Sequence, residues 1–163
     1  MANVAPITGA AAIDHETVTF TGGSALAAKL QDIAAKMDRA ARLSVGFFEG
    51  ATEADGTSVP MIAATQEFGS DKAGIPPRPF FRNMIGAHGK NWGDDIVKLI
   101  AAHGYDAHVV LNLMGQHIKG QLQQSIQDTN EPPLAAATIA KKGFDKTLIE
   151  TSTMWKSIDY VVE

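Results

Sequence analysis

The sequence predicts an α+β domain in which helices pack on one face of a small, mainly antiparallel sheet. Apolar residues alternate along the chain near 43–50 and 158–162, which is the period of a half-buried strand. They recur every three or four positions over 25–41 and again from 107 to about 127, which is the period of an amphipathic helix. A third short strand is expected at 17–21.

The chain has 163 residues, which is enough for one well-packed domain and too few for two ordinary ones. Its 45% apolar and 20% charged residues are typical of a globular protein. Residues 1–12 are rich in alanine, are interrupted by Pro6, Thr8 and Gly9, and lack positive charge. We therefore expect a flexible N-terminal arm over 1–12, not a signal peptide, and a single α+β domain over 13–163.

The first helix is expected over 25–41, with Ser24 as a plausible N-cap after two glycines. Four apolar residues share one of its faces: Leu26, Leu30, Ile33 and Met37. Leu43, Val45 and Phe47 then alternate as a strand.

A turn is expected at 53–56, followed by a short helix over 61–68 with Pro60 in its first turn and Gly69 at its end. The loop over 70–79 contains Pro76, Pro77 and Pro79. Each proline fixes φ and removes an amide donor, so we expect this loop to be stiff and extended and not a central strand.

The middle of the chain is predicted to be helical from Phe80, past Trp92, to an end at His103 and Gly104. Asp106 is a candidate cap for the next, long helix. The apolar positions of that helix are Ala107, Leu111, Met114, Ile118 and Leu122.

Gly115 and Gly120 lie inside this long helix, where each costs about 1 kcal/mol relative to alanine. They therefore indicate close packing against a neighbour or a kink. Beyond it, residues 128–133 break the helix, a short helix is expected over 135–142, and a turn at 151–152 precedes the last strand. In that strand Ile158, Tyr160 and Val162 alternate.

Charge and composition exclude several functional classes. The net charge is −4 and no run of Lys or Arg forms a basic stripe, which argues against a dedicated nucleic-acid binder. The chain has no cysteine, which excludes disulfides, thiolate catalysis and cysteine-based zinc sites. Its apolar runs are far shorter than the roughly 20 residues that span a bilayer, so no membrane partner is expected.

Titratable residues form no recognisable catalytic, cofactor or metal motif, and we assign none. Adjacent residues such as Asp14, His15 and Glu16 point in different directions, and Asp94 and Asp95 suit the start of a helix. Metal-binding histidines on a helix lie three or four residues apart. The spacings here are five and nine residues, for His103, His108 and His117.

Arg78 stands in the proline-rich loop just before Phe80 and Phe81, and arginine and aromatic residues are enriched at interface anchors. Two interpretations stay open for Arg78, and two for the pair of phenylalanines. Arg78 either contacts another protein or is solvated, and the two phenylalanines either contact a partner or begin a helix and join this chain's own core.

Five segments, in this order and spacing, resemble the tail-completion, neck or head–tail joining proteins of tailed bacteriophages. They are VGFFEG (45–50), VPMIAATQEFG (59–69), IPPRPFFR (75–82), PPLAAATIAKKG (132–143) and KTLIETSTMWKSI (146–158). The family's last segment commonly has Pro, Asp and Gly where this chain has Thr147, Glu150 and Ser152.

The resemblance implies a non-enzymatic virion protein, made in the bacterial host cytoplasm and located at the head–tail junction. It would form a homo-oligomeric ring of six or twelve copies between connector and tail proteins, with DNA passing through the lumen without specific binding. Heterologous contacts close such a ring. The contact segments are expected at 1–12, 52–58 and 70–79, with six candidate contact residues: Asp55, Gly56, Pro76, Pro77, Arg78 and Pro79. Deleting residues 1–12 or replacing Arg78 is expected to impair assembly and to leave the monomer folded.

Three other functions remain open. A tail terminator, which caps the tail tube, would also act as a ring of subunits. A small hydrolase would use Glu67 or the pair Asp94 and Asp95, and would need convergent titratable groups in a deep pocket. A regulatory binding module would be monomeric in its mature setting.

Overall fold

The computed structural model describes residues 12–13, 16–17, 22–40, 42–133 and 153–163. Along the chain it has β1 (Ala12–Ile13), β2 (Glu16–Thr17), α1 (Gly23–Met37), β3 (Leu43–Phe47), α2 (Val59–Phe68), α3 (Phe80–His88), α4 (Trp92–Ala102), α5 (Ala107–Asp128), α6 (Thr153–Lys156) and β4 (Ile158–Val162). Short 3-10 turns lie at Asp71–Ala73 and Gly89–Asn91. The predicted α+β class is confirmed.

The principal sheet pairs β3 with β4 in antiparallel register, with Phe47 opposite Ile158 and Leu43 opposite Val162. The side chains of Leu43, Val45 and Phe47 face the core, whereas Asp159 on β4 is exposed. This is the period-two pattern that the sequence predicts for a sheet with helices on one face.

The expected strand at 17–21 does not extend this sheet. Thr17 belongs to β2, which pairs with β1 in a separate two-stranded unit, with Thr17 opposite Ala12. Residues 18–21 lie outside the described part of the chain. Thr17 is therefore in a strand, as predicted, but that strand is not part of the principal sheet.

The long helix α5 is the centre of the fold, because it packs against β3, β4, α3 and α4. The Asp106 side chain caps it by accepting a hydrogen bond from Val109 N at 3.2 Å, as predicted. Gly115 lies directly beneath the Tyr160 ring of β4, and a β-carbon there would overlap the ring. Nothing lies within 4 Å of the equivalent position at Gly120. Close packing therefore explains the first glycine only.

The core combines the buried faces of α2, α3, α5, α6 and β4. Its fully buried members are Val59, Phe80, Met84, Met114, Leu122, Ile126 and Ile158. Phe80 meets Phe47 edge to face, with ring centroids 6.2 Å apart. Phe81 is half-buried against the same cluster. The two phenylalanines therefore join this chain's own core, which was one of the two interpretations of the sequence.

The first helix differs most from expectation. It begins at Gly23 and ends at Met37, four residues before the expected end at 41, and Gly22 occupies the N-cap position without a side-chain cap. Ser24, the expected N-cap, lies inside the helix. The end of β3 is also earlier than expected, at Phe47. Of the flexible arm expected over 1–12, only Ala12 is described, and it lies in strand β1. Residues 1–11, the helix expected at 135–142 and the turn at 151–152 lie outside the described residues.

Candidate functional site

The loop over 70–79 is held at its base by backbone contacts. Ser70 and Ile75 exchange two backbone hydrogen bonds, of 2.8 and 2.9 Å. Gly69, which ends α2 as predicted, has φ +76°, and a β-carbon there would lie 2.8 Å from Ile75 O. Only glycine fits this junction without a backbone shift, so the path of the loop away from α2 is fixed.

Arg78 fastens the far end of the same loop from inside the protein. Its side chain is only 4% exposed. Its Nε donates to Pro132 O at 3.1 Å, and one terminal nitrogen donates to Gln66 Oε1 at 3.0 Å. Burial lowers the pKa of the Arg78 guanidinium from its usual range. In the isolated chain Arg78 is thus an internal anchor, and replacing it is expected to weaken the fold itself, which revises the expectation of a folded monomer.

The carboxylate of Glu67 fixes the start of α3, where it takes the part of an N-cap. It is buried, and it accepts hydrogen bonds from Phe81 N at 2.8 Å and from Arg82 N at 3.2 Å. Arg82 closes the arrangement, because its Nε donates to Glu67 Oε1 at 2.8 Å. A negative group is favourable at this end of a helix, where free N–H groups and the helix dipole meet.

The other candidate contact residues are near or at the surface. Pro76 and Pro77 are exposed, and Pro79 is half-buried. Asp55 and Gly56 are exposed in the turn before α2, where Asp55 Oδ1 accepts from Thr57 N at 2.9 Å. That hydrogen bond from Thr57 lowers the pKa of Asp55 from its usual value. The structure therefore presents two rigid surface turns and one buried arginine.

Beside the proline-rich loop lies an exposed area formed by two apolar side chains and one arginine. We call it the α2–α3 patch: Met61, Phe68 and Arg82. Met61 is 66% and Phe68 is 68% exposed. The Arg82 guanidinium carbon lies 5.3 Å from the centroid of the Phe68 ring, in the geometry of a cation–π contact. Methionine, aromatic residues and arginine are the types that are enriched in protein interfaces.

A second exposed apolar area runs along α1, and we call it the α1 stripe: Leu26, Leu30, Ile33 and Met37. Leu26 and Leu30 are 58% and 57% exposed. Ile33 is half-buried, and α1 has no fully buried residue. Within the described part of the chain, the apolar face of this helix is therefore largely exposed.

The carboxylates that a hydrolase would use, Glu67, Asp94 and Asp95, are engaged in contacts that stabilise helices. Both oxygens of Glu67 accept hydrogen bonds from α3. Asp94 and Asp95 lie in the first turn of α4, as predicted, and Asp95 is 3.6 Å from Lys98 Nζ. Such contacts cap helices and stabilise their first turns.

The histidines that the sequence singled out are dispersed on the surface. His103 follows the end of α4, and His108 and His117 are exposed on α5. His117 Nε2 lies 2.8 Å from the Gln121 amide nitrogen. No group of three or more metal-ligating side chains occurs among the residues that the structure describes. Of the earlier acidic run, Glu16 lies in β2, whereas Asp14 and His15 are not among the described residues.

Two grooves among the described residues are open to solvent. One, of about 370 Å³, lies between α3 and α5 and is lined by residues that include Asn83, His88, Gln121 and Asp128. Another lies between α4 and α5, beside Asp95, Leu99 and His117. The first groove is also lined by Ser125, whose Oγ donates to Phe80 O at 2.7 Å.

No protein-family model, curated protein or solved structure matches the chain. Within the described residues, every helix is too short or too polar to cross a membrane.

Two features of the site have no clear signal in the sequence. The Glu67 cap joins residues of α2 and α3 that are separated by the whole proline-rich loop, and no local spacing reports such a contact. The exposure of the α1 stripe also cannot be read from the sequence. A helix has the same apolar period whether its apolar face is buried in its own core or exposed at the surface.

Proposed function

We propose that this chain is a structural virion protein of a tailed bacteriophage, a tail-completion or neck subunit that forms a ring at the head–tail junction. The observation that carries the proposal is the α2–α3 patch beside a rigid loop. The patch and the proline-rich part of the loop, residues 75–79, lie in the two segments, 59–69 and 75–82, that resemble the neck family.

An anchored, rigid loop suits a protein whose function is to bind other proteins. Arg78 and Glu67 hold both the loop and the start of α3 from inside, while Pro76, Pro77 and Phe68 remain outside. A surface that is already ordered loses little conformational entropy when a partner binds, so more of the contact energy becomes affinity.

A ring mechanism needs no bound small molecule. Each subunit offers one surface to the next and a different surface to the previous one, and closure leaves no free surface. The negative net charge of the chain suits a lumen through which DNA slides without being held. The exposed turns at 52–58 and 70–79 would then contact the connector and tail proteins above and below.

Removing the gene tests this function. We expect the deletion to yield filled heads and separate tails of normal length, and the supplied protein to restore their joining. A tail terminator would instead yield tails of abnormal length, because it limits growth of the tube. Infectious, normally joined particles in the absence of the protein would refute both roles.

A further inference from the structure

The α1 stripe lies on a helix that the rest of the described chain supports weakly. None of the 15 residues of α1 is fully buried, and Leu26 and Leu30 are more than half exposed. Gly22, at the N-cap position, has no side chain that could cap the helix, and the first turn contains no acidic residue. Helices of about this length are marginal in water unless their apolar face is packed. We therefore looked for a segment that covers the stripe.

The β1–β2 pair brings the start of the chain toward α1. The two strands are antiparallel, with Ala12 opposite Thr17. The chain before Ala12 and the chain after Thr17 therefore leave the pair at the same end. Only five residues, 18–22, separate that end from the first residue of α1. Residues 1–11 are thus tethered close to the N-terminal end of this helix.

Residues 1–11 are long enough to lie along the stripe. An extended chain advances about 3.3 Å per residue, so this segment spans up to about 36 Å. The stripe runs from Leu26 to Met37, which is about 17 Å along the helix axis. The excess length is sufficient to cross the gap between the β1–β2 pair and α1.

The apolar residues of this segment recur at the period of a polyproline II helix. Met1, Val4 and Ile7 are three positions apart, and Pro6 favours this extended conformation. A polyproline II helix has three residues per turn, so the three side chains share one edge. The segment therefore has one apolar edge to match one apolar stripe.

Charge does not oppose this contact. Residues 1–11 contain no charged side chain. The two lysines beside the stripe, Lys29 and Lys36, lie 3.8 and 2.9 Å from Asp32 of the same helix. An uncharged segment thus leaves these ion pairs in place and brings no charge of its own into an apolar contact.

We propose that residues 1–11 pack along the α1 stripe of the same copy, as an extended segment whose apolar edge faces Leu26 and Leu30. This inference does not depend on the proposed function. The contact removes apolar side chains of both segments from water and so stabilises α1. The segment of the same copy is tethered beside the stripe, which gives it a higher local concentration than the segment of a neighbour.

Hydrogen exchange of the α1 amides tests the contact in the full chain. We expect Val4→Asp with Ile7→Asp to make these amides exchange about tenfold faster or more, since burial of one leucine side chain contributes about that factor. Asn3→Asp with Thr8→Asp adds the same charge away from the apolar edge and should leave the exchange as in the parent. Unchanged exchange in both variants, or equal acceleration in both, would overturn the proposal.

Cross-linking decides which copy supplies the segment. The chain has no cysteine, so any disulfide comes from introduced residues alone. We expect Val4→Cys with Leu26→Cys to form a disulfide within one chain, in a yield that does not change on dilution. Ala28 is exposed on the opposite face of α1, so Val4→Cys with Ala28→Cys is the matched control and should cross-link much less. Equal yields for the two pairs, or cross-links that only join two chains, would overturn packing within one copy.

Discussion

The Arg78 guanidinium donates from Nε to the backbone oxygen of Pro132 at 3.1 Å, joining the proline-rich loop to the segment that follows α5. The two residues are 54 positions apart in the chain. Through this bond the buried Arg78 side chain connects the loop, with its exposed Pro76 and Pro77, to the segment after α5. The rigidity of the proposed contact surface thus depends on the interior of the fold.

Arg78→Ala is expected to lower the free energy of unfolding by about 2–4 kcal/mol, because it removes a buried side chain and leaves the half-buried Gln66 and Pro132 acceptors without a charged donor. Arg78→Lys should recover only part of this loss, since an ammonium group cannot reproduce the guanidinium fork. Urea denaturation measures both. Lys72→Ala, at an exposed position in the same loop, should change stability by less than about 0.5 kcal/mol. An unchanged denaturation midpoint for Arg78→Ala would show that the network contributes nothing.

Gly115→Ala and Gly120→Ala are expected to have opposite effects on thermal stability. Alanine at 115 would overlap the Tyr160 ring, so we expect a loss of about 1–3 kcal/mol in spite of better helix propensity. Alanine at 120 meets open space and should gain about 0.5–1 kcal/mol. If both variants were equally stabilised, the packing of β4 on α5 would differ from that described.

Glu67→Ala is expected to cost about 2–4 kcal/mol of unfolding free energy, because the first amides of α3 lose their buried acceptor. Glu67→Gln should cost less, since its one amide oxygen still accepts. Glu49→Gln, at an exposed position, is the control and should be near neutral. Chemical denaturation followed by circular dichroism checks the order of the three variants. Equal stability of Glu67→Ala and the parent would contradict the capping role.

Acid is expected to weaken the contact between α1 and α5. The hydrogen bond from Val109 N and the nearby Arg39 lower the pKa of Asp106 below its ordinary 3.8. A carboxyl with a depressed folded-state pKa stabilises the fold above its ordinary pKa, and this contribution is lost as pH falls through the lower folded value. Asp106→Asn should therefore flatten the decline in stability below pH 3.8, a change that a series of thermal melts detects. An unaltered acid profile would show that Asp106 is not coupled to folding.

Much of the fold was accessible from sequence because its signals are local. The alternation in β3 and β4, the Asp106 cap and the glycine after α2 each report a backbone conformation that neighbouring residues determine. The β1–β2 pair was missed because strands of two residues carry no period. The end of α1 was placed too late because Ala40 and Ala41 suit a helix as well as they suit a turn.

The candidate site was less accessible, because its defining contacts are distant in sequence. The composition of the loop predicted its stiffness, but not that Arg78 would turn inward to Pro132. The two interpretations considered for Arg78, a protein contact and a solvated side chain, both placed it outside. Similarly, the sequence places Leu26 and Leu30 on one face of a helix, and only the structure shows that each residue is more than half exposed.

Imaging the neck of purified virions at residue resolution tests the central proposal most directly. We predict density for this chain in a closed ring between head and tail. A neck that is fully accounted for by other proteins, with this chain absent from the particle, would contradict the proposal.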